Sequence, residues 1–423
     1  DYIIHSYTLV SGRISVILAY TLLGWLGGLN TVRILLPITI LLIFLHIYLI
    51  IVDQKSNNKI QYFSLIFLCF SYGLFGIQIC NTGLYWFAAT YVYVIPVVFF
   101  LIFDRLYQYN KTSAPIVSFF LCLFSELMVS MSLSYIILNI GNNILRKENV
   151  GKNRWLSLFT SIAAMFIMLM SPASRGRMSN GANISFYNMN LYEKIVRNSN
   201  IIINHFFFRI SSAFVWFVLI ICMLMAATMI KKNKFKIFYI FYSICTSVIM
   251  YLFATERIKS NIEIHVFLFL FYFIFLFIGL FIYFINWDFH IASIVAGTSA
   301  TIGILLIVPE IPIRTFIPCI FMFILFGGKI LTEYLNAGRG VLLYILMIPF
   351  IIVNSQNLQQ IYKGYQSNVE ILEYNAFKLT EASEQLKNGQ NIQTVELYKI
   401  PQPIFAGPQV YSNEVAYMKF WMD

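Results

Sequence analysis

Apolar stretches of close to twenty residues recur along almost the whole chain, separated by short islands of Lys, Arg, Asn and Gly. An α-helix rises about 1.5 Å per residue, so about 20 apolar residues cover a hydrocarbon core about 30 Å thick. Helical spans are expected near residues 34–53, 62–80, 88–104, 113–125, 127–145, 155–171, 207–230, 237–253, 264–286, 290–308, 317–334 and 341–353. A span of about a dozen residues, such as 113–125, is too short to cross unaided and must be tilted, re-entrant or shielded by neighbours. Composition agrees with this reading. Hydrophobic residues make up 59% of the chain and charged residues 11%, against roughly a quarter charged in soluble domains. The expected fold class is therefore an all-α polytopic membrane protein with about twelve membrane helices.

The basic loops set the orientation. Lys55 and Lys59, Arg105 and Lys111, the cluster Arg146, Lys147, Lys152 and Arg154, the run Lys231 to Lys236, and Lys329 with Arg339 all fall on one face. That face is cytoplasmic by the positive-inside rule. The net charge of +11 is largely this topological signal, and a nucleic-acid partner is not needed to explain it. The opposite face carries Arg13, Arg33, the loop around Arg175, Arg257, Glu310, Arg314 and the tail from Asn354. The stretch 12–29 contains Gly24, Gly27 and Gly28 and starts from Gly12-Arg13, which favours an outer interfacial helix over a crossing one.

Two domains follow, a membrane domain over 1–353 and a periplasmic tail over 354–423. In the tail, Leu358, Ile361, Tyr365, Val369, Leu372 and Leu379 recur at helical spacing up to the stop at Asn388-Gly389. Ile392 to Ile400 has strand character and Tyr411 to Trp421 makes one more short element, so a small α+β cap is expected. The opening Asp1-Tyr2-Ile3-Ile4-His5 lacks the basic flank of a secretory leader. No internal repeat is evident, which argues against a solenoid or an inverted-repeat transporter. The six cysteines are scattered through apolar spans without a C-x-x-C and read as small buried hydrophobes. His5, His205 and His265 are isolated from acidic clusters, so metal coordination has little support.

Ionisable groups beside apolar spans are costly, and each on the outer face is a functional candidate. The run Met168-Leu169-Met170-Ser171-Pro172-Ala173-Ser174-Arg175-Gly176-Arg177 ends a span with a proline and two arginines. Guanidinium groups stay charged at any accessible pH and grip phosphate oxygens bidentately, so Arg175 and Arg177 suit a lipid-borne phosphate; snorkelling to lipid headgroups is the plainer alternative. Arg13, Arg257 and Arg314 complete the candidate phosphate-binding set. Glu126, at the tip of an apolar hairpin, is a candidate catalytic carboxylate or a structural partner for an arginine. Glu256-Arg257 and Glu310 with Arg314 present opposite charges together. The aromatic loop from Tyr85 and Trp86 to Tyr93 reads either as an interface belt or, with Glu310, as a sugar or acceptor platform.

Asp1 ahead of Gly12-Arg13, the Tyr-Trp…Tyr-x-x-x-Pro loop from Tyr85 to Pro96, Ser125-Glu126, the Ser-Pro-x-x-x-Arg break and the outer tail occur in an order that resembles the polytopic GT-C-type glycosyltransferases of bacterial envelopes. The resemblance is to the group that includes serotype-converting O-antigen glucosyltransferases and spans nearly the whole chain through short motifs. It implies a multi-pass protein of the bacterial inner membrane with a periplasmic active site. Such an enzyme moves one sugar, glucose, from a polyprenyl-phosphate donor to a glycan acceptor such as O-antigen lipopolysaccharide. It further implies Asp1 as catalytic base, Glu126 as a carboxylate facing the same cavity, Arg175 on the donor phosphate, and a further span ahead of Asp1. The break here reads Ser-Pro-Ala-Ser-Arg where Pro-Gly-Asn is commoner in the family.

No cofactor is expected, and whether a divalent metal assists is open. A glycosyl phosphate already carries a leaving group, so a carboxylate and one or two arginines supply what the transfer needs, with inversion at the anomeric carbon. Two other classes share the outer arginines: a lipid-linked oligosaccharide polymerase or ligase, and a flippase that makes no covalent change.

Overall fold

The computed structural model describes residues 13–25, 28–52, 57–84, 89–173, 176, 181–255, 262–338, 340–388 and 398. Among them the chain is helical with no strand. The helices are α1 (Ile14–Trp25), α2 (Gly28–Ile51), α3 (Asn58–Leu84), α4 (Thr90–Gln108), α5 (Ala114–Cys122), α6 (Glu126–Leu145), α7 (Lys152–Leu169) and α8 (Gly181–Asn188). They continue as α9 (Leu191–Asn204), α10 (Ser212–Lys231), α11 (Lys236–Ala254), α12 (Ile262–Ile285), α13 (Phe289–Leu305), α14 (Ile317–Asn336) and α15 (Gly340–Lys387). Each of the twelve apolar stretches coincides with one of these helices.

Eight helical segments among the described residues are long and apolar enough to cross a membrane. The other four expected spans fall short for separate reasons. Helix α5 has nine residues, and α7 opens on Lys152 and Arg154 and carries hydroxyls along its length. The apolar part of α12 described to its side chains, Leu270–Ile285, and α13 are shorter than a full crossing.

Helix α14 is the axis of the bundle. It is apolar nearly all round, which is the pattern of a helix with no lipid-facing side, and it is almost wholly buried against α2, α3, α10, α13 and α15. Around it α6 packs on α13, α5 on α7 and α10 on α11, while α12 lies against α13. Helix α3 is broken near its far end by Gly76, whose φ of +64° an L side chain tolerates poorly, and then continues as a wide π-type turn over Cys80–Leu84.

Helix α15 runs for 48 residues without interruption, across the expected boundary at 353/354. At about 1.5 Å per residue it is about 72 Å long, more than twice the hydrocarbon thickness, so much of it lies beyond any bilayer. It stops at Lys387, and the chain returns to it at Tyr398, whose backbone exchanges two hydrogen bonds with the Asn375 amide and whose ring stacks on Tyr374. The strand expected over Ile392 to Ile400 lies almost wholly, and the element at Tyr411 to Trp421 entirely, outside the described residues.

Candidate functional site

The turn Leu123–Ser125 reverses the chain between α5 and α6, and Ser125 is fully extended (φ −166°, ψ 158°) where the helix begins. Glu126 is therefore the first residue of α6, a position that favours a carboxylate. Arg13 Nη2 donates to Glu126 Oε2 at 2.9 Å, with side chains 23% and 28% exposed. Arg13 is anchored from behind. Its carbonyl accepts from the backbone N–H groups of Val16 and Ile17 as α1 starts, and Ser15 Oγ donates to the Phe120 carbonyl of α5 at 2.8 Å. Burial opposes the charge on Arg13, but Glu126 and then Tyr93 outweigh it, and the guanidinium pKa ends above its ordinary value.

The end of α7 packs beside this pair through Ile14, and the described residues just past it, Pro172, Ala173 and Gly176, are helical where the sequence suggested a loop. Ile14, next to Arg13, packs with Cys122 and Leu123 of the hairpin and with Ala164 and Met168 of α7 in one apolar cluster. Ser171 and Ala173 are buried just beyond, and Pro172 is exposed. Tyr93 is buried in the wide turn Thr90–Val94, which packs on α1 and so forms a wall of this corner. That turn also packs on Cys80–Leu84, which in turn packs on the single turn Ile313–Phe316 carrying Arg314. Gly83 permits the last approach, since a Cβ there would lie 3.1 Å from Cβ of Arg314. π-type turns are rare and concentrate at functional sites, and two of them line this corner.

Of the residues singled out in the sequence, the structure thus gathers Arg13, Glu126, Tyr93 and Arg314 around one end of the bundle, and leaves Glu310 exposed on the neighbouring loop. Asp1, Tyr85, Trp86, Arg175, Arg177 and Arg257 lie outside the described residues. Among the described residues no group of three His, Cys, Asp or Glu side chains is arranged to hold a metal ion.

His205 has a structural task that the sequence did not suggest. Helix α9 starts with a capping box between Asn190 and Glu193, and its buried face holds the loop that follows α13. Asn198 Nδ2 donates to the carbonyls of Leu305 and Val308, and His205 Nε2 lies 2.7 Å from the Ile311 carbonyl. Burial pushes the His205 pKa below the ordinary histidine value, partly countered by the bond to Ile311. The neutral ring donates from Nε2, and Arg314 follows three residues after the loop it secures.

A second cluster, at the opposite helix ends, was not recognised from the sequence. Asp104 of α4 is buried and its Oδ1 accepts from Tyr135 Oη of α6 and His290 Nε2 of α13, both at 2.6 Å. Gln108 Nε2 donates to the same tyrosine oxygen at 2.6 Å. Nearby ties at this end are Lys329 with Asp288 at 3.7 Å and Glu333 with both Lys232 and Tyr283. The one local hint was helical phase, which puts Asp104 and Gln108 four residues apart on one face.

No family model matches the chain, and neither a curated protein nor a solved structure does.

Proposed function

We propose that this chain is a GT-C-like glycosyltransferase that moves a single sugar, glucose, from a polyprenyl-phosphate donor to a cell-envelope glycan such as O-antigen. In this reading about twelve membrane helices, the shorter ones inserted between full spans, lie in the bacterial inner membrane and the Arg13–Glu126 end faces the periplasm. Helix α1, at twelve residues and about 18 Å, is too short to cross and lies along the outer interface. The observation that carries the reading is the partly exposed Arg13–Glu126 pair beside the helix end that leads into Ser171-Pro172 and the segment around Arg175.

The chemistry assigned to this corner balances simply. The acceptor hydroxyl oxygen forms a bond to the anomeric carbon while the bond from that carbon to the phosphate oxygen breaks, and the configuration inverts. The hydroxyl proton goes to a carboxylate, and charge growing on the departing phosphate is met by guanidinium groups. Glu126 is already neutralised by Arg13, which suits it to holding that guanidinium in place and leaves the base role to Asp1. Arg175 and Arg177 hold the donor phosphate, and Arg13 is fixed in the same corner by Glu126.

The test is product mass. Purified protein in vesicles receives polyprenyl-phosphate glucose and a lipid-linked glycan acceptor, and the acceptor is weighed. One added hexose is the expected result. Addition of whole repeat units would assign the chain to the polymerase or ligase class, and an unchanged acceptor with donor appearing on the other leaflet would make it a flippase.

A further inference from the structure

Lys231, Lys232, Lys234 and Lys236 crowd the turn between α10 and α11, and no Asp or Glu occurs between Glu193 and Glu256. All four lysines are exposed. Lys232 reaches across to Glu333 of α14. Among the described residues no carboxylate pairs with Lys231, Lys234 or Lys236. The basic connection between α6 and α7 differs, since Glu148 lies among its charges and Arg154 is engaged 5.3 Å over the Tyr107 ring.

Topology asks for positive charge at such a turn, but not for what stands between the lysines. Phe235 has a φ of +51°, a left-handed conformation that a bulky side chain adopts only under strain, and its ring is 55% exposed instead of packed. Ile237 follows at 85% exposed. From there Ile240, Phe241, Ile244, Val248 and Tyr251 continue an exposed apolar stripe along one face of α11. From Ile237 to Tyr251 the helix rises about 21 Å, more than the hydrocarbon of one leaflet, about 15 Å. Both α10 and α11 are long and apolar enough to cross a membrane, so their turn lies at a bilayer surface.

We infer that this turn binds an anionic phospholipid of the adjacent leaflet, with its phosphate among Lys231, Lys234 and Lys236, Phe235 beside the headgroup and the acyl chains along the α11 stripe. Charge complementarity selects the head. Each lysine beside anionic lipid contributes about fivefold in affinity, whereas a zwitterionic headgroup brings its own cation to the same place. The apolar side chains select the source of the phosphate. A free phosphate ion would meet the lysines and leave Phe235 and Ile237 in water, while a phosphate that carries chains covers both. The inference rests on the two membrane spans and not on glycosyl transfer.

The experiment is native mass spectrometry of the full chain, stripped of lipid and returned to micelles holding equal amounts of phosphatidylglycerol and phosphatidylcholine. The expected first bound lipid is phosphatidylglycerol, preferred by at least about tenfold and not displaced by added inorganic phosphate. Combining Lys231→Gln, Lys234→Gln and Lys236→Gln should bring the two lipids close to parity. The same loss of three charges between α6 and α7, by Arg146→Gln, Lys147→Gln and Lys152→Gln, should leave the preference in place. Phe235→Gly removes the ring and the left-handed strain together, so the unfolding temperature should hold or rise while lipid retention falls. All the substituted side chains are exposed, so folding is not at stake. Equal binding of the two lipids to wild type, displacement by inorganic phosphate, or an equal loss in the α6–α7 variant overturns the proposal, as does a Phe235→Gly protein that retains lipid like wild type.

Discussion

At one end of the bundle Arg13 and Glu126 meet with about a quarter of each side chain exposed, whereas at the other Asp104 is 2% exposed and accepts from two donors at once. The first pair is made by residues at helix beginnings, beside turns, and is partly exposed. The second joins α4, α6 and α13 around a buried carboxylate, with Gln108 completing the buried tyrosine hydroxyl and His290 reaching in from a partly exposed position. Paired charge does different work in the two places. A partly exposed pair adds little to stability, while a buried network becomes a liability as soon as one partner is removed.

The largest effect is expected where the network is driest. Asp104→Ala strands the buried Tyr135 Oη and removes the partner of the partly exposed His290, and should lower stability by about 3 kcal/mol, measured as thermal unfolding in detergent. Asp104→Asn keeps an oxygen acceptor and should lose less. Turnover per folded molecule should stay close to wild type in the Asn variant. If Asp104→Asn instead folds normally and loses transfer, the contrast between a structural end and a chemical end is broken.

Arg13 sharpens the same contrast from the other side. Arg13→Ala removes a charge-assisted hydrogen bond, worth about 1.5–3 kcal/mol, and should appear as a roughly 10- to 100-fold loss in kcat/KM with a small change in unfolding temperature. Arg13→Lys restores the charge without the planar fork and should recover part of the rate. A large drop in stability with normal turnover of the remaining folded protein would make the pair a clasp, like its buried counterpart.

What could be read in the sequence follows from the range of each interaction. Apolar length is a local property, so each of the twelve stretches could be recognised as a helix. Ser171-Pro172 marked the end of α7 equally well, because proline is unfavourable inside a helix. Arg13 and Glu126 each stood out as charges beside apolar runs, but nothing local joins residues 113 positions apart. Asp104 was hidden by its neighbour Arg105, which looks like the start of a loop. In the structure α4 continues to Gln108 and turns Asp104 inward, toward partners 31 and 186 residues away. The last apolar stretch ends near residue 353, but the helix carries on through Asn354-Ser355-Gln356-Asn357, which contains no Gly or Pro, because polarity alone does not stop a helix that is packed on one side.

The smallest effect concerns the loop that leads to Arg314. His205 is buried and neutral, with its pKa lowered by burial, while the unfolded chain exposes an ordinary histidine near 6.5. In the folded state the ring binds a proton less readily, so below about pH 6.5 the unfolded chain takes up more protons and stability falls as pH falls. The contribution is fully present above the unfolded pKa and is lost as pH drops through and below it, with a slope of at most about 1.4 kcal/mol per pH unit for this one site. Unfolding followed from pH 7.5 to 5.5 should therefore show a steeper decline for wild type than for His205→Gln, whose amide can still donate to the Ile311 carbonyl. Parallel pH profiles in the two proteins would mean that His205 is free to protonate in place. The bond from Nε2 to the Ile311 carbonyl would then hold in both protonation states, and the loop leading to Arg314 would not feel pH through His205.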